Sequence, residues 1–240
     1  MFALKKSINQ FRGRRDRESF IREIKNVAML VPHKNIVKYD RAWQDAGHFY
    51  IVMELCAGGT LRGLIDREQW IRLERIRVLM HGFLDGLQLL HSNNLIHLDL
   101  KPDNLFLSDD GGLKIGDFGL CRLASEWDSE EGDGAYLAPE ALNDQPTAAS
   151  DVFSSGLILF QLLNGIVRLP AHGSEWQRLR GGQDLLCETP AGRSAAEEDA
   201  VWCAGLSSLC SAMLAREGER RPSARQCLTA ACFAGLGTQG

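Results

Sequence analysis

The chain has 240 residues, of which 45% are hydrophobic and 24% charged, and its formal net charge is −4 at pH 7. These proportions are typical of soluble globular proteins and argue against a disordered, collagenous or fibrous chain. A chain of this length can bury a substantial core, and its charge balance does not indicate a protein dedicated to nucleic acids.

The cysteines and the apolar segments narrow the setting of the protein. The seven cysteines are scattered and never form a CxxC pair. This favours reduced thiols in an intracellular protein of the nucleus or cytoplasm. No apolar run approaches the ~18 residues that a membrane span needs, so we expect no membrane segment in this chain. The start, MFALKKSINQ, becomes basic too early for a signal peptide.

The N-terminal part of the sequence predicts short strands around one helix. Short strands are predicted at 2–6 and 36–39, and a clearer one at 48–53, where aromatic and β-branched residues are frequent. Residues 16–30 predict a helix, because apolar side chains recur at helical spacing and Pro32 lies just beyond.

The rest of the sequence is mainly helical. Residues 72–91 predict a long amphipathic helix, and residues 151–163 predict a helix that is apolar on most sides and therefore buried. Three short apolar segments lie between them, at 95–97, 105–107 and 113–115. A glycine-rich turn joins the last two, which indicates a hairpin. From about 175 to 234 the pattern is helical with glycine and proline breaks. The order of elements predicts an α+β protein in two lobes.

Three motifs follow one another in the middle of the chain: HLDLKPDN at 97–104, DFG at 117–119 and APE at 138–140. One tripeptide is weak evidence, because it occurs by chance at about one position in several thousand. Their order and spacing, with a lysine near a strand start and a glutamate on the next helix, make the set specific. It resembles the eukaryotic protein kinase family over nearly the whole chain, from residue 2 onward.

This resemblance implies an α+β, two-lobed protein kinase fold with a mainly helical C-lobe. Residues 1–55 would form the N-lobe, from the lysine strand to the hinge, and residues 56–240 the C-lobe of one kinase domain. The N-lobe would be incomplete, because no glycine-rich loop precedes the lysine strand in this sequence. A shortened chain or a degraded kinase would explain this, and the intact catalytic set favours shortening.

The resemblance also implies ATP and Mg²⁺ as cofactors, because phosphoryl transfer relies mainly on positioning and charge neutralisation. Asp99 would accept the proton of the attacking hydroxyl, and Lys101 would lie near the transferred phosphate. Asn104 and Asp117 would supply oxygen ligands for Mg²⁺. A loop carboxylate or a capping asparagine could explain any one of these residues, but not the set.

The residues expected to contact ATP come from the lysine strand and the next helix. Lys5 matches the lysine that holds the α- and β-phosphates, and the Ala-x-Lys frame favours it over Lys6. Its expected partner is Glu23, at the edge of the buried helix face, rather than Glu18. A surface position for Glu23 is the alternative.

Residues 53–56 resemble the hinge that hydrogen-bonds adenine through its backbone. Met53 would be the gatekeeper, and Glu54 and Cys56 would complete the ATP-binding set. The hinge follows a predicted strand and precedes two glycines, which matches this assignment.

Other matches are structural. Asp151 would brace the catalytic loop, and Arg221 would pair with Glu140 of the APE motif. His97 would pack in the core rather than act as a base.

Leu98 stands where most kinases have an arginine that binds a phosphorylated loop residue. Leucine cannot do so, and the only hydroxyl residues between 117 and 140 are Ser125, Ser129 and Tyr136. We therefore expect that loop phosphorylation is not the main control of activity.

Four dispersed segments resemble the Wee/Myt family, which inhibits cyclin-dependent kinases. They are FALKKSINQFRGRRDR at 2–17, RAWQDAGHFYIVMELCAGGTL at 41–61, EGDGAYLAPE at 131–140 and RLPAHGSEWQRLRGG at 168–182. The resemblance implies phosphorylation of a Tyr, Thr or Ser hydroxyl, with a cyclin-dependent kinase as the partner and protein substrate and restraint of mitotic entry as the outcome. The alternatives are a catalytically silent kinase-like scaffold and a relative of the initiation-factor-2 kinases.

Overall fold

The computed structural model describes residues 1–11, 13–125, 132–143, 145–181 and 197–236. A small antiparallel sheet with one long helix comes first, and a larger, mainly helical part follows. The predicted α+β class is therefore confirmed. Within the described ranges, no helix has both the length and the apolar composition that crossing a bilayer requires.

Three strands form the N-terminal sheet in the order β1-β3-β2, with β3 antiparallel to both neighbours. They are β1 (Phe2–Lys6), β2 (Tyr39–Asp45) and β3 (His48–Glu54). The strand predicted at 36–39 is wrong, because only Tyr39 belongs to β2 and the strand continues to Asp45. Ile36 instead forms an isolated bridge with Ile115, so its apolar side chain is buried away from the sheet.

Helix α1 (Arg14–Ala28) packs against this sheet through aromatic rings. Phe20 stacks on Phe49 of β3 with ring centroids 4.0 Å apart, and Phe11 stacks on the same ring at 5.0 Å. The helix begins and ends two residues earlier than the sequence predicts. These stacked rings orient α1 so that its inner face points toward β1 and β2.

Two long helices organise the second part: α3 (Leu73–Ser92) and α4 (Ala148–Asn164). Nearly every residue of α4 is buried, as its apolar composition predicts. Thr147 starts this helix with a capping box, and Gly165 ends it in the left-handed conformation. Helix α6 (Glu197–Met213) packs on α4, where Gly156 allows close approach to Met213.

Shorter elements complete the described chain. The helices are α2 (Leu61–Arg67), α5 (Ser174–Arg180) and α7 (Ala224–Leu228). The strands are β4 (Leu95–Ile96), β5 (Leu105–Leu107), β6 (Leu113–Ile115) and β7 (Arg122–Leu123). The predicted hairpin is present as the β5–β6 pair. The sequence does not predict α2 or β7. Part of the helical segment predicted at 175–234 lies outside the described residues.

Within the described ranges, the cysteines form no disulfide bond. Cys56 is partly exposed, and the other five are buried: Cys121, Cys203, Cys210, Cys227 and Cys232. Cys187 lies outside the described residues.

Candidate active site

The buried helix α4 anchors the loop at 97–104, which runs from β4 to β5. Asp151, in the first turn of α4, is only 1% exposed. Its carboxylate accepts the backbone N–H groups of His97 at 2.8 Å and Leu98 at 3.0 Å, and Nε2 of His91 lies 2.9 Å away. The brace expected from the sequence is therefore present, and it fixes the backbone just before Asp99.

Three neighbouring groups hold the carboxylate of Asp99. Nζ of Lys101 lies 3.0 Å from Oδ1, and Nδ2 of Asn104 donates to Oδ2 and to the backbone oxygen, both at 2.8 Å. The backbone N–H of Asp133 donates to Oδ1 at 3.2 Å. Burial lowers the pKa of Lys101, but the hydrogen bond and charge of Asp99 outweigh it, so the net pKa is raised. Lys101 is therefore a fixed cation beside a fixed carboxylate.

A second ionic cluster joins β1, α1 and the DFG motif. Nζ of Lys5 lies 2.9 Å from Oε1 of Glu23 and 2.7 Å from Oδ1 of Asp117. Glu23 is buried, so the pair expected with Lys5 is present and the surface alternative is wrong. Glu18 instead pairs with exposed Arg14.

The charges of this second cluster shift one another's pKa. Burial alone would lower the pKa of Lys5, but Glu23 and Asp117 raise it above its ordinary value. Burial alone would raise the pKa of Asp117, but Lys5 holds it below its ordinary value. Both groups therefore stay charged near neutral pH.

Tyr39 belongs to the same cluster, although the sequence analysis did not assign it to the site. Its hydroxyl donates to Oε1 of Glu23 at 2.8 Å, and this carboxylate and burial raise the pKa of Tyr39. Its ring meets Phe118 edge-on, with centroids 6.1 Å apart. Only its position at the start of β2, opposite α1, could have indicated this role.

The backbone is strained at two motif positions. Leu98 has φ = 67° and Asp117 has φ = 54°, in the left-handed region that residues with a Cβ seldom adopt. Phe118, next to Asp117, is completely buried, and the ring of His97 lies 5.3 Å from it. His97 thus packs in the core, as expected. The packing around Phe118 holds the strained backbone of Asp117 in place, with its carboxylate directed at Lys5.

The donor atoms of Asn104 and Asp117 fit a magnesium ion. Both amide hydrogens of Asn104 point to Asp99, so its Oδ1 is the amide atom left for a cation. The lowered pKa of Asp117 keeps this carboxylate ionised. Mg²⁺ prefers such hard oxygen ligands and needs few of them from the protein.

The predicted hinge residues lie at the end of β3 and just beyond it. Met53 pairs with Ala3 of β1, and Ala3 precedes Lys5 by two residues. The Glu54 carboxylate accepts the backbone N–H of Lys38 at 2.6 Å and Nζ of Lys114 at 3.1 Å. That side chain is therefore engaged, and a ligand contact of Glu54 would involve its backbone. The roles predicted for Met53, Glu54 and Cys56 stay predictions.

The segment before α4 is fixed by buried polar contacts. Arg221, whose side chain is fully buried, donates to both carboxylate oxygens of Glu140, at 2.6 and 2.9 Å. The hydroxyl of Tyr136 donates to Gln161 at 2.8 Å and accepts from Arg62 at 3.0 Å. Burial raises the pKa of Tyr136 to about 12. Tyr136 is therefore part of the packing rather than an accessible hydroxyl.

Ser125, another hydroxyl residue of this loop, is exposed. Ser129 lies outside the described residues.

Comparison with known proteins agrees with this geometry. The family described as "Protein kinase domain" matches residues 1–233. A probable protein kinase of Dictyostelium discoideum is 37% identical over 190 residues, which cover 76% of this chain and 54% of that protein. The mitosis inhibitor protein kinase wee1 of Schizosaccharomyces pombe is 36% identical over 248 residues, covering 95% of this chain and 28% of that protein.

The name of a third relative states which protein it inhibits. The membrane-associated tyrosine- and threonine-specific cdc2-inhibitory kinase wee-1.3 of Caenorhabditis elegans is 39% identical over 166 residues. The match covers 68% of this chain and 24% of that protein. This chain therefore spans about half, or less, of the length of these three relatives.

Proposed function

Because this chain belongs to the protein kinase family, we propose that it transfers the γ-phosphate of ATP to a hydroxyl group of a protein substrate. The observation that carries the proposal is the pair of ionic clusters around Asp99 and Lys5. The N–H of Gly116 donates to the backbone oxygen of Asn104 at 3.0 Å, which ties the DFG motif to the catalytic loop. In this proposal, one connected part of the structure therefore holds both the general base Asp99 and the phosphate-binding Lys5.

In this proposal, Asp99 orients the substrate hydroxyl and accepts its proton. Asn104 and Lys101 hold the carboxylate so that its orientation does not depend on the substrate. Lys101 remains a cation, because its pKa is raised, and it can neutralise charge on the transferred group. Positioning of this kind supplies most of the catalysis in phosphoryl transfer.

Lys5 holds the α- and β-phosphates, and Glu23 keeps its ammonium group in place. Asn104 and Asp117 would hold Mg²⁺, which would neutralise negative charge on the phosphates. The backbone of residues 54–56 receives the adenine. The residue pairs Lys5–Glu23 and Asn104–Asp99 support these roles, because each orients a group that acts on the nucleotide or on the hydroxyl.

The proposed substrate is a cyclin-dependent kinase, modified on a tyrosine or threonine, so that the reaction restrains mitotic entry. The names of the Caenorhabditis elegans and Schizosaccharomyces pombe relatives support this choice. The four Wee/Myt-like segments, which lie in both parts of the chain, agree with this choice.

The experiment measures phosphate transfer from labelled ATP, with Mg²⁺, to a catalytically inactive cyclin-dependent kinase bound to its cyclin. The full chain should label this substrate, and Asp99→Asn should reduce the rate by about 10²–10⁴-fold because the general base is lost. Asp109→Asn is the matched control. Asp109 is an exposed carboxylate in the β5–β6 turn, so this variant should keep the wild-type rate.

Three results would contradict the proposal or its choice of substrate. Near-normal transfer by Asp99→Asn would exclude the assigned base. Nucleotide binding without transfer to any protein would favour a silent scaffold, and labelling of initiation factor 2 alone would favour that kinase class.

A further inference from the structure

The segment at 168–182 is a conspicuous sequence motif that the proposed catalytic roles do not use. Its helix α5 ends at Arg180, which is only 6% exposed. Among the described residues, the guanidinium donates to four backbone oxygens: Leu137 at 2.9 Å, Gly134 at 3.0 Å, Ala135 at 3.1 Å and Trp176 at 3.3 Å. Three of these oxygens belong to residues 134–137, between Asp133 and the APE motif.

Trp176, one turn earlier on α5, contacts the same loop. Its Nε1 donates to the backbone oxygen of Gly134 at 2.9 Å, so that oxygen accepts from both side chains. The guanidinium carbon of Arg180 lies 4.0 Å from the centroid of the Trp176 ring. Stacking on the ring fixes the plane of the guanidinium fork, which a lysine could not reproduce.

The loop at 134–137, which Arg180 and Trp176 contact, lies next to the proposed catalytic base Asp99. Asp133 donates its N–H to Asp99, and its Oδ2 lies 3.8 Å from Nζ of Lys101. Asp133 also starts the turn, because Oδ1 accepts the N–H of Ala135 and the backbone oxygen accepts that of Tyr136. A shift at 134–137 would therefore move the groups next to Asp99.

The contact of Arg180 and Trp176 with the loop matters because Leu98 cannot hold the loop in place. A leucine at this position provides no cation for a loop phosphate. We propose that Arg180 and Trp176 are positioning residues that hold the loop at 134–137 beside Asp99 for the protein substrate, without phosphorylation of the loop. This inference rests on the proposed function, since it assigns the loop to substrate binding.

Hydrogen exchange of the full chain tests the contact without relying on activity. The reporter amides are Ala135, Tyr136 and Leu137, all bonded to Asp133. In Arg180→Gln they should exchange about ten-fold faster, because the carbonyls lose charged donors. The control Arg178→Gln removes an exposed arginine from the same helix and should exchange at the wild-type rate.

Trp176→Phe is the milder second variant, which keeps a ring under Arg180 and removes only the indole N–H. It should accelerate the same amides by a smaller factor than Arg180→Gln, and it keeps the test decisive if Arg180→Gln does not fold. Wild-type exchange of these amides in Trp176→Phe and in any folded Arg180→Gln would overturn the inference.

Kinetics separate positioning from a general structural role. With the inactive cyclin-dependent kinase as substrate, Arg180→Gln should lower kcat/KM for the protein about ten-fold, while ATP affinity stays within about two-fold. A parallel loss of ATP affinity would show a structural role and overturn the inference. Absence of transfer by the wild-type chain would overturn the proposed function instead, and the exchange measurement distinguishes the two failures.

Discussion

At the scale of single residues, Tyr39 connects parts of the site that the motifs treat separately. Its hydroxyl and Nζ of Lys5 both bond Oε1 of Glu23, at 2.8 and 2.9 Å. Its ring touches Phe118, the residue after Asp117. Tyr39 therefore links the orientation of Glu23 to the position of the DFG motif. Replacement of Tyr39 by phenylalanine removes its hydroxyl and keeps its ring.

Tyr39→Phe should raise KM for ATP about five- to ten-fold, with a smaller change in kcat. The reason is the loss of one hydrogen bond to a buried carboxylate, worth about 1–1.5 kcal/mol, which lets Glu23 and Lys5 move. Steady-state kinetics at varied ATP measure this. The control is Tyr50→Phe on β3, whose ring stacks on Trp43 and should leave KM unchanged. Equal KM values for the two variants would contradict the prediction.

At the scale of elements, long periodic segments were predictable and short ones were not. Helix α3 lies within one residue of its predicted bounds, because five turns carry a clear apolar stripe. Helix α2 has only seven residues, too few to show a period, and its start depends on the Thr60 cap. Residues 36–39 predict a strand from their apolar and aromatic side chains, but Ile36 is buried through its bridge with Ile115 instead.

In the candidate active site, too, some residues are predictable from the sequence and others are not. Motif spacing located Asp99, Asn104 and Asp117, because the chemistry constrains their separation along the chain. It could not locate the contacts of Tyr39 or Arg180: Tyr39 belongs to no catalytic motif, and the segment at 168–182 does not indicate which loop the Arg180 side chain contacts. Their roles depend on how α1 and α5 pack, which the composition of neither segment specifies.

Two glycines provide a prediction for helix packing. A Cβ at Gly156 in α4 would lie 2.9 Å from Cβ of Met213 and 3.0 Å from Cδ2 of Leu214. Gly156→Ala should therefore lower the free energy of unfolding by about 1–3 kcal/mol, measured by denaturant titration, because α6 must move away.

Gly63→Ala is the matched control in α2. Its Cβ would meet Nη1 of Arg67 at 3.4 Å and Oγ1 of Thr60 at 3.7 Å, which are ordinary contacts. Since alanine favours a helix over glycine, this variant should be neutral or more stable by up to about 1 kcal/mol. Equal stability of the two variants would argue against close contact of α4 with α6.

At the scale of the whole molecule, the pair Glu140–Arg221 closes a loop of 81 residues in the helical part. Burial alone would raise the pKa of Glu140, but hydrogen bonds from Arg221 and Ser150 lower it below its ordinary value of 4.5. Its contribution to stability is therefore complete above about pH 4.5 and is lost as the pH falls through the lowered pKa.

Glu140→Gln should reduce the free energy of unfolding by about 3 kcal/mol at neutral pH, because buried Arg221 loses its carboxylate. The deficit relative to the wild type should narrow below about pH 4.5, where the Glu140 carboxylate of the unfolded chain takes up a proton, and should narrow further as the pH falls through the lowered pKa of the folded state. Chemical denaturation between pH 3 and 7 measures it. Glu217→Gln, which removes an exposed partner of Arg220, should cost less than about 0.5 kcal/mol. A deficit of Glu140→Gln that does not vary with pH would contradict the assigned ionisation.

The rate at which the buried cysteines are alkylated depends on how often the packing around them opens. Burial raises the pKa of Cys121 and of Cys227 to about 12, so neither sulfur forms an appreciable amount of thiolate in the folded chain near neutral pH. An alkylating reagent therefore reaches them only when the surrounding helices separate. Where the reagent is faster than reclosing, the rate at which these thiols disappear equals the opening rate. The half-buried Cys56 can react without such opening and provides the baseline.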